Sequence, residues 1–81
     1  MAHDPITNFV QRRARLNTNL EIARLALDSF FESHDLSSLT LLDLAALEGL
    51  LEKRREILAE LVALDDDFMD TILELRRGLG A

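Results

Sequence analysis

Four aspartates crowd one short stretch, "LVALDDDFMDTI", in which Asp65, Asp66 and Asp67 are consecutive and Asp70 follows three residues later. Carboxylates at this density raise the chemistry of a hard-cation site. A calcium loop of EF-hand type, however, alternates its oxygen ligands, needs a glycine at its sharp turn and closes on a distal glutamate. "DDDFMDTILE" has no glycine and runs straight into a helical apolar pattern, so no metal is expected there. Two readings remain. Asp67 can cap a new helix with Asp70 three residues on, or the run is one solvated turn of an unbroken helix. The apolar stripe passes through in phase, with Leu61 before and Phe68 after and no Gly or Pro between, which favours continuity.

Other candidate chemistry is sparse. Arg13 and Arg54 stand at positions of otherwise apolar stripes, and paired guanidiniums inside a helical bundle can bind an anionic small molecule bidentately. The simpler reading has each arginine snorkel or pair with a neighbour, such as Arg54 with Glu21. His3 and His34 fall in neither HExxH nor ExxH spacing, so zinc and di-iron sites are not expected. Ser37 and Ser38 lack a nucleophile-elbow context, and His34 in "FFESHDL" reads as a turn residue. No catalytic residue, metal or cofactor is therefore expected. Glu48, Glu52, Glu56 and Glu60 recur every four residues, with Asp67 and Glu74 continuing roughly the same side. Like charges at this spacing repel slightly within a helix, so the ridge is either a plain solvated face or a docking face for a basic partner.

Two helices must position these groups. Asp4 can cap the first and Pro5 can open it, where its missing N–H costs nothing. Ile6, Phe9, Arg13, Leu16, Leu20, Ala23, Leu27 and Phe30 then alternate spacings of three and four, widened by Val10, Ile22 and Phe31. "ESHDLSSLT" breaks the pattern with residues that bond their own backbone. Thr40 or a preceding serine can cap the second helix, and "TLLD" has capping-box form with Asp43 in the reciprocal place. The second stripe runs through Leu44, Leu47, Leu51, Arg54, Leu58, Leu61, Asp65, Phe68, Ile72 and Leu75, flanked by Leu50, Ile57 and Leu64. "LRRGLGA" closes it, with Arg76 and Arg77 at the negative helix end and Gly78 suited to a left-handed C′ position.

The expected fold is all-α: helices over residues 5–33 and 40–77 joined by a turn at 34–39. The turn centre near residue 36 brings the aspartates level with residues 6–12, so Arg12 is the expected partner of Asp65, with Arg13 beside it. A helix of about 38 residues is long against the usual ~11–12, so a three-helix bundle broken near Asp65–Asp67 is the alternative. One hairpin cannot cover two wide apolar faces, which predicts a homodimer forming a four-helix bundle, with Leu47, Leu51, Leu58, Leu61 and Phe68 in the assembly core.

Composition narrows the function classes. The chain has 81 residues, 48% apolar and 30% charged, so it is one small globular domain with a marginal core of its own. It has no cysteine, which removes disulfides and thiolate metal sites. A net charge of −6 argues against nucleic acid, and "QRRAR" is too small a basic patch to reverse that. "MAHDPITNFVQRRAR" lacks the apolar core of a signal peptide and no run approaches a membrane span, so a soluble, cytoplasmic protein is expected.

Three family likenesses follow from the residues. "LLEKRREILAELV" resembles the long helix of the all-helical chorismate mutases, which implies a substrate-facing cation at Arg54 or Arg55. "LLEKRREILAELVALDDDF" looks like the Leu-rich helix of flagellar export chaperones, which implies a subunit-holding role. "FFESHDLSSLTLLDLAALEGLLE" is similar in outline to the succinate dehydrogenase flavinylation factors, although "QRRARLNTNLE" lacks the glycine of their Arg-Gly-x-x-Glu signature. The leading expectation is a non-enzymatic interaction module (adaptor, small chaperone or regulator) that binds itself and a basic protein. It would dock through an acidic ridge of Glu48, Glu52, Glu56 and Glu60 or through the apolar faces exposed at the hairpin ends. The alternative is a small-anion-binding protein or enzyme using Arg13 and Arg54 in the bundle interior.

Overall fold

A computed structural model describes residues 4–80. Helix α1 spans Pro5–Ser33 and helix α2 spans Leu41–Leu79, and the two pack antiparallel as a helical hairpin. No strand occurs among the described residues. Both helix starts follow from local hydrogen bonding. Asp4 Oδ1 accepts from the Ile6 N–H at 3.0 Å and Oδ2 from the Thr7 hydroxyl at 2.8 Å, with Pro5 at the first helical position. The Thr7 hydroxyl first, and the Ile6 N–H second, hold the Asp4 carboxyl below the usual carboxylate range. At α2, Thr40 Oγ1 accepts from the Asp43 N–H at 3.1 Å while Asp43 Oδ2 accepts from the Thr40 N–H at 3.0 Å, a complete capping box.

Between the helices, Asp35 Oδ1 accepts from the Ser37 N–H and hydroxyl, and Oδ2 from the Ser38 hydroxyl. That small side-chain turn reverses the chain. His34 ends α1: its Nδ1–H donates to the Phe30 carbonyl at 2.8 Å, satisfying an acceptor that the helix leaves open, and its ring stacks on Phe30.

Helix α2 is continuous through Asp65, Asp66 and Asp67, so the three-helix alternative is not what this chain forms. The Thr71 hydroxyl sits 3.5 Å from the Asp67 carbonyl, a contact made one helical turn back rather than across a break. The C-terminal expectation needs correcting. Gly78 lies inside α2, no described glycine has positive φ, and the Gly80 N–H continues the ladder to the Arg76 carbonyl at 2.7 Å.

The core is a single seam. Ala23, Leu27 and Phe30 of α1 and Ile57, Leu61 and Leu64 of α2 are buried, with Leu16 and Leu20 packed beside Ala23, Ile57 and Leu61. Helix α1 uses its expected stripe. Helix α2 does not: its flanking row of Ile57 and Leu64 turns inward, and Leu44, Leu51, Leu58 and Ile72 turn outward. Centring the seam on the expected line would have buried Asp65 and Arg54, and an unpaired buried charge costs far more than a swapped leucine returns. The hairpin therefore rotates α2 until both charges reach its edge, where both are exposed.

Candidate interaction surface

Register decides which charges meet. Phe9 stacks on Phe68 with ring centroids 3.9 Å apart, Arg13 Nε donates to Asp65 Oδ1 at 3.3 Å, and His34 Nε2 lies 3.5 Å from Asp43 Oδ1. These pairings place the reversal about two residues later than a symmetric turn would, because the chain runs on past His34 before α2 begins. Arg13, not Arg12, is consequently the partner of Asp65. Arg12 points to the other side of the Phe9–Phe68 stack, sharing a shallow groove with Pro5, Asn8, Asp67 and Thr71.

The aspartates do not converge. Successive residues of a helix step by about 100°, so Asp65 reaches the seam edge while Asp66 faces away and Asp67 lies on the opposite flank. No group of three or more His, Cys, Asp or Glu side chains among the described residues is arranged to hold a metal ion. His3 lies outside the described residues. Arg54 is exposed and does not meet Glu21, whose carboxylate is taken by Arg24. Arg24 also reaches Asp28 at 2.8 Å, so α1 carries its own ion ladder on one exposed side. The Arg24 hydrogen bond holds Glu21 below the usual carboxylate range and raises the guanidinium in return. Arg13 stands level with Asp65, eleven positions along α2 from Arg54, roughly 16 Å away at 1.5 Å per residue. Within one hairpin the two arginines share no anion site.

The acidic ridge winds rather than running straight. A four-residue repeat overshoots a helical turn by about 40° per step, so Glu48 begins beside the outer flank and Glu60 ends on the far side. There Glu60 lines a groove with Arg12, Arg15, Leu16 and Asn19 of α1. Glu48 and Glu52 are the members that face squarely away from α1, and Glu56 begins the turn toward the Glu60 side.

The larger feature is apolar. Leu44, Leu51, Leu58, Val62 and Met69 are 46%, 48%, 36%, 61% and 57% exposed. All five lie roughly 80–120° round from the seam and so form one stripe along α2. Leu51 and Leu58 of the expected assembly core belong to it, whereas Leu61 is buried inside the hairpin and Leu47 and Phe68 are half-buried along the seam. The stripe's signal was present in the sequence as the seven-residue spacing of Leu44, Leu51 and Leu58. Accessible surface totals 6577 Å², roughly 1,600 Å² beyond what a compact protein of this mass exposes. The radius of gyration is 18.6 Å against about 12 Å for a compact domain of this length.

No helix among the described residues is long and apolar enough to cross a membrane. Comparison with models of known families, with curated proteins and with solved structures finds no match, so none of the three family likenesses gains support.

Proposed function

We propose that this chain is a non-enzymatic protein-interaction module, an adaptor, small chaperone or regulator, that works as a homodimer in a four-helix bundle. It docks a basic partner along Glu48, Glu52 and Glu56, with Glu60 at the inner end of the ridge. The exposed apolar stripe of α2 carries the reading: a hairpin with complete caps and a continuous seam still leaves a row of large aliphatic side chains in water. Contiguous exposed apolar surface of this kind marks association sites on soluble domains. The acidic ridge supports the second half, since a single-sign patch steers and selects a partner of opposite charge. Absence of cysteine suits a reducing compartment, and the module is assigned to the cytoplasm.

Affinity capture with the wild type and with Glu52→Arg/Glu56→Arg tests the ridge. A basic partner held by the first and released by the second is the expected result, and capture unchanged by the reversal removes the ridge from the reading. Light scattering tests the dimer, which a monomer at all concentrations overturns.

A further inference from the structure

We propose that the apolar stripe of α2 is covered by the α2 helix of a second copy of this chain, running antiparallel and centred near Glu60. This deepens the dimer in the reading above by assigning its surface, direction and register.

The surface follows from what each side of the hairpin exposes. On the flank that holds Arg13 and Asp65, α2 presents Leu44, Leu51, Leu58, Val62 and Met69. The opposite flank sets Arg12, Arg15, Asn19, Lys53, Glu60 and Asp67 around its grooves, with Ile22 the exposed aliphatic side chain among them, so the charged groups interrupt any apolar row there. On the apolar flank the middle of α1 carries the Glu21–Arg24–Asp28 ladder, so contact is made by α2. The surplus of roughly 1,600 Å² compares with about 800 Å² that each partner buries in a standard stable interface. Enough surface is therefore on offer.

Direction and register follow from charge. A two-fold interface must be self-complementary, so residue i meets j on the partner and j meets i. Antiparallel pairing centred near residue 60 sets Leu58 against the partner's Val62 and Leu51 against the partner's Met69. It also sets Arg54 against the partner's Asp65 and Arg55 against the partner's Asp66, each pair formed twice. Arg54 and Asp65 share the edge nearer α1, and Arg55 and Asp66 share the outer edge. In antiparallel helix pairs same-side edges face each other, so both matches are sterically consistent. A parallel pairing in register would instead set each arginine and each aspartate against its own copy, and like charges in contact oppose association. Glu60, at the axis, lies on the far side of α2 and introduces no clash. Asp65 then joins Arg13 of its own chain and Arg54 of the partner.

Charge exchange tests the register. Arg54→Glu/Arg55→Glu and Asp65→Arg/Asp66→Arg, each shown helical by circular dichroism, are expected to dimerise at least about tenfold more weakly than the wild type in sedimentation equilibrium. Mixed in equal amounts they present only opposite charges to each other, and dimerisation is expected to return. A mixture no stronger than its parents, with the wild type still dimeric, overturns this register while leaving the dimer standing. A monomeric wild type overturns both. Should either charge variant fail to fold, spin labels decide the direction, since the chain has no native cysteine. Labels on Ala59→Cys, exposed beside the axis, are expected within about 20 Å of each other, and those on Ala45→Cys about 45 Å apart or more. Short distances at both sites overturn the antiparallel arrangement.

Discussion

Arg13 Nε donates to Asp65 Oδ1 at 3.3 Å, joining α1 to the first of three consecutive aspartates across 52 positions of chain. Both side chains keep 47% of their surface in water. An ion pair this open contributes about 0–1 kcal/mol. A double-mutant cycle on Arg13→Ala and Asp65→Ala, read by chemical denaturation, is expected to give a coupling of at most about 1 kcal/mol that shrinks in high salt. A coupling of several kcal/mol that ignores salt would place the pair in a dry interior instead.

The neighbouring Phe9–Phe68 stack is the stronger tie. Its rings are nearly parallel at 10° and half-buried at the open end of the hairpin. Phe68→Ala is expected to cost about 2 kcal/mol, below the value for a fully buried ring, with about 0.5–1.5 kcal/mol of that coupled to Phe9→Ala. Independent losses at the two sites would show that the rings do not meet in solution.

Asp67 distinguishes a continuous helix from a capped break. As an N-cap its loss would cost about 1 kcal/mol. Inside an unbroken α2, Asp67→Ala exchanges a poor helix former for the best one, so stability is expected to hold or rise by about 0.5 kcal/mol. Thermal melts followed at 222 nm measure the sign, and a clear loss would put a helix start at this residue.

The capping box makes part of the stability pH-dependent. The Thr40 N–H, and after it the Thr40 side chain, hold the Asp43 carboxyl below its usual range, and the nearby His34 acts in the same direction. A carboxyl lowered in the folded state stabilises above its unfolded value near 4 and loses that contribution as pH falls through its folded value. Asp43→Asn, neutral at every pH, is therefore expected to melt below the wild type near pH 7, and the gap is expected to close toward about pH 2. A gap of constant size would assign the box to geometry rather than to charge.

Much of this hairpin was legible in the residues themselves. Asp4 and Pro5, the Thr40–Asp43 box, the Asp35–Ser38 turn and the passage of α2 through its aspartates all rest on groups within four positions of each other, and spacing reads such interactions directly. The α1 stripe was legible too: Leu16, Leu20, Ala23, Leu27 and Phe30 are the expected line and face the seam, while Val10, Ile22 and Phe31 beside them stay exposed. Helix α2 is apolar over a wide arc, and several lines along it satisfy the same periodicity. Only the partner helix selects among them, by burying Ile57, Leu61 and Leu64 and leaving Asp65 and Arg54 at an edge where water and counter-charges reach them. The later reversal of the chain moved Asp65 from Arg12 to Arg13, while the turn of α2 about its axis brought Glu60 beside Arg12 and Arg15 and left Leu51 and Leu58 outside. Local hydrogen bonding and periodicity determined where the helices lie along the chain. Tertiary packing decided how far each is turned about its own axis, because that angle balances burial against the desolvation of charges and neither can be evaluated on one helix alone.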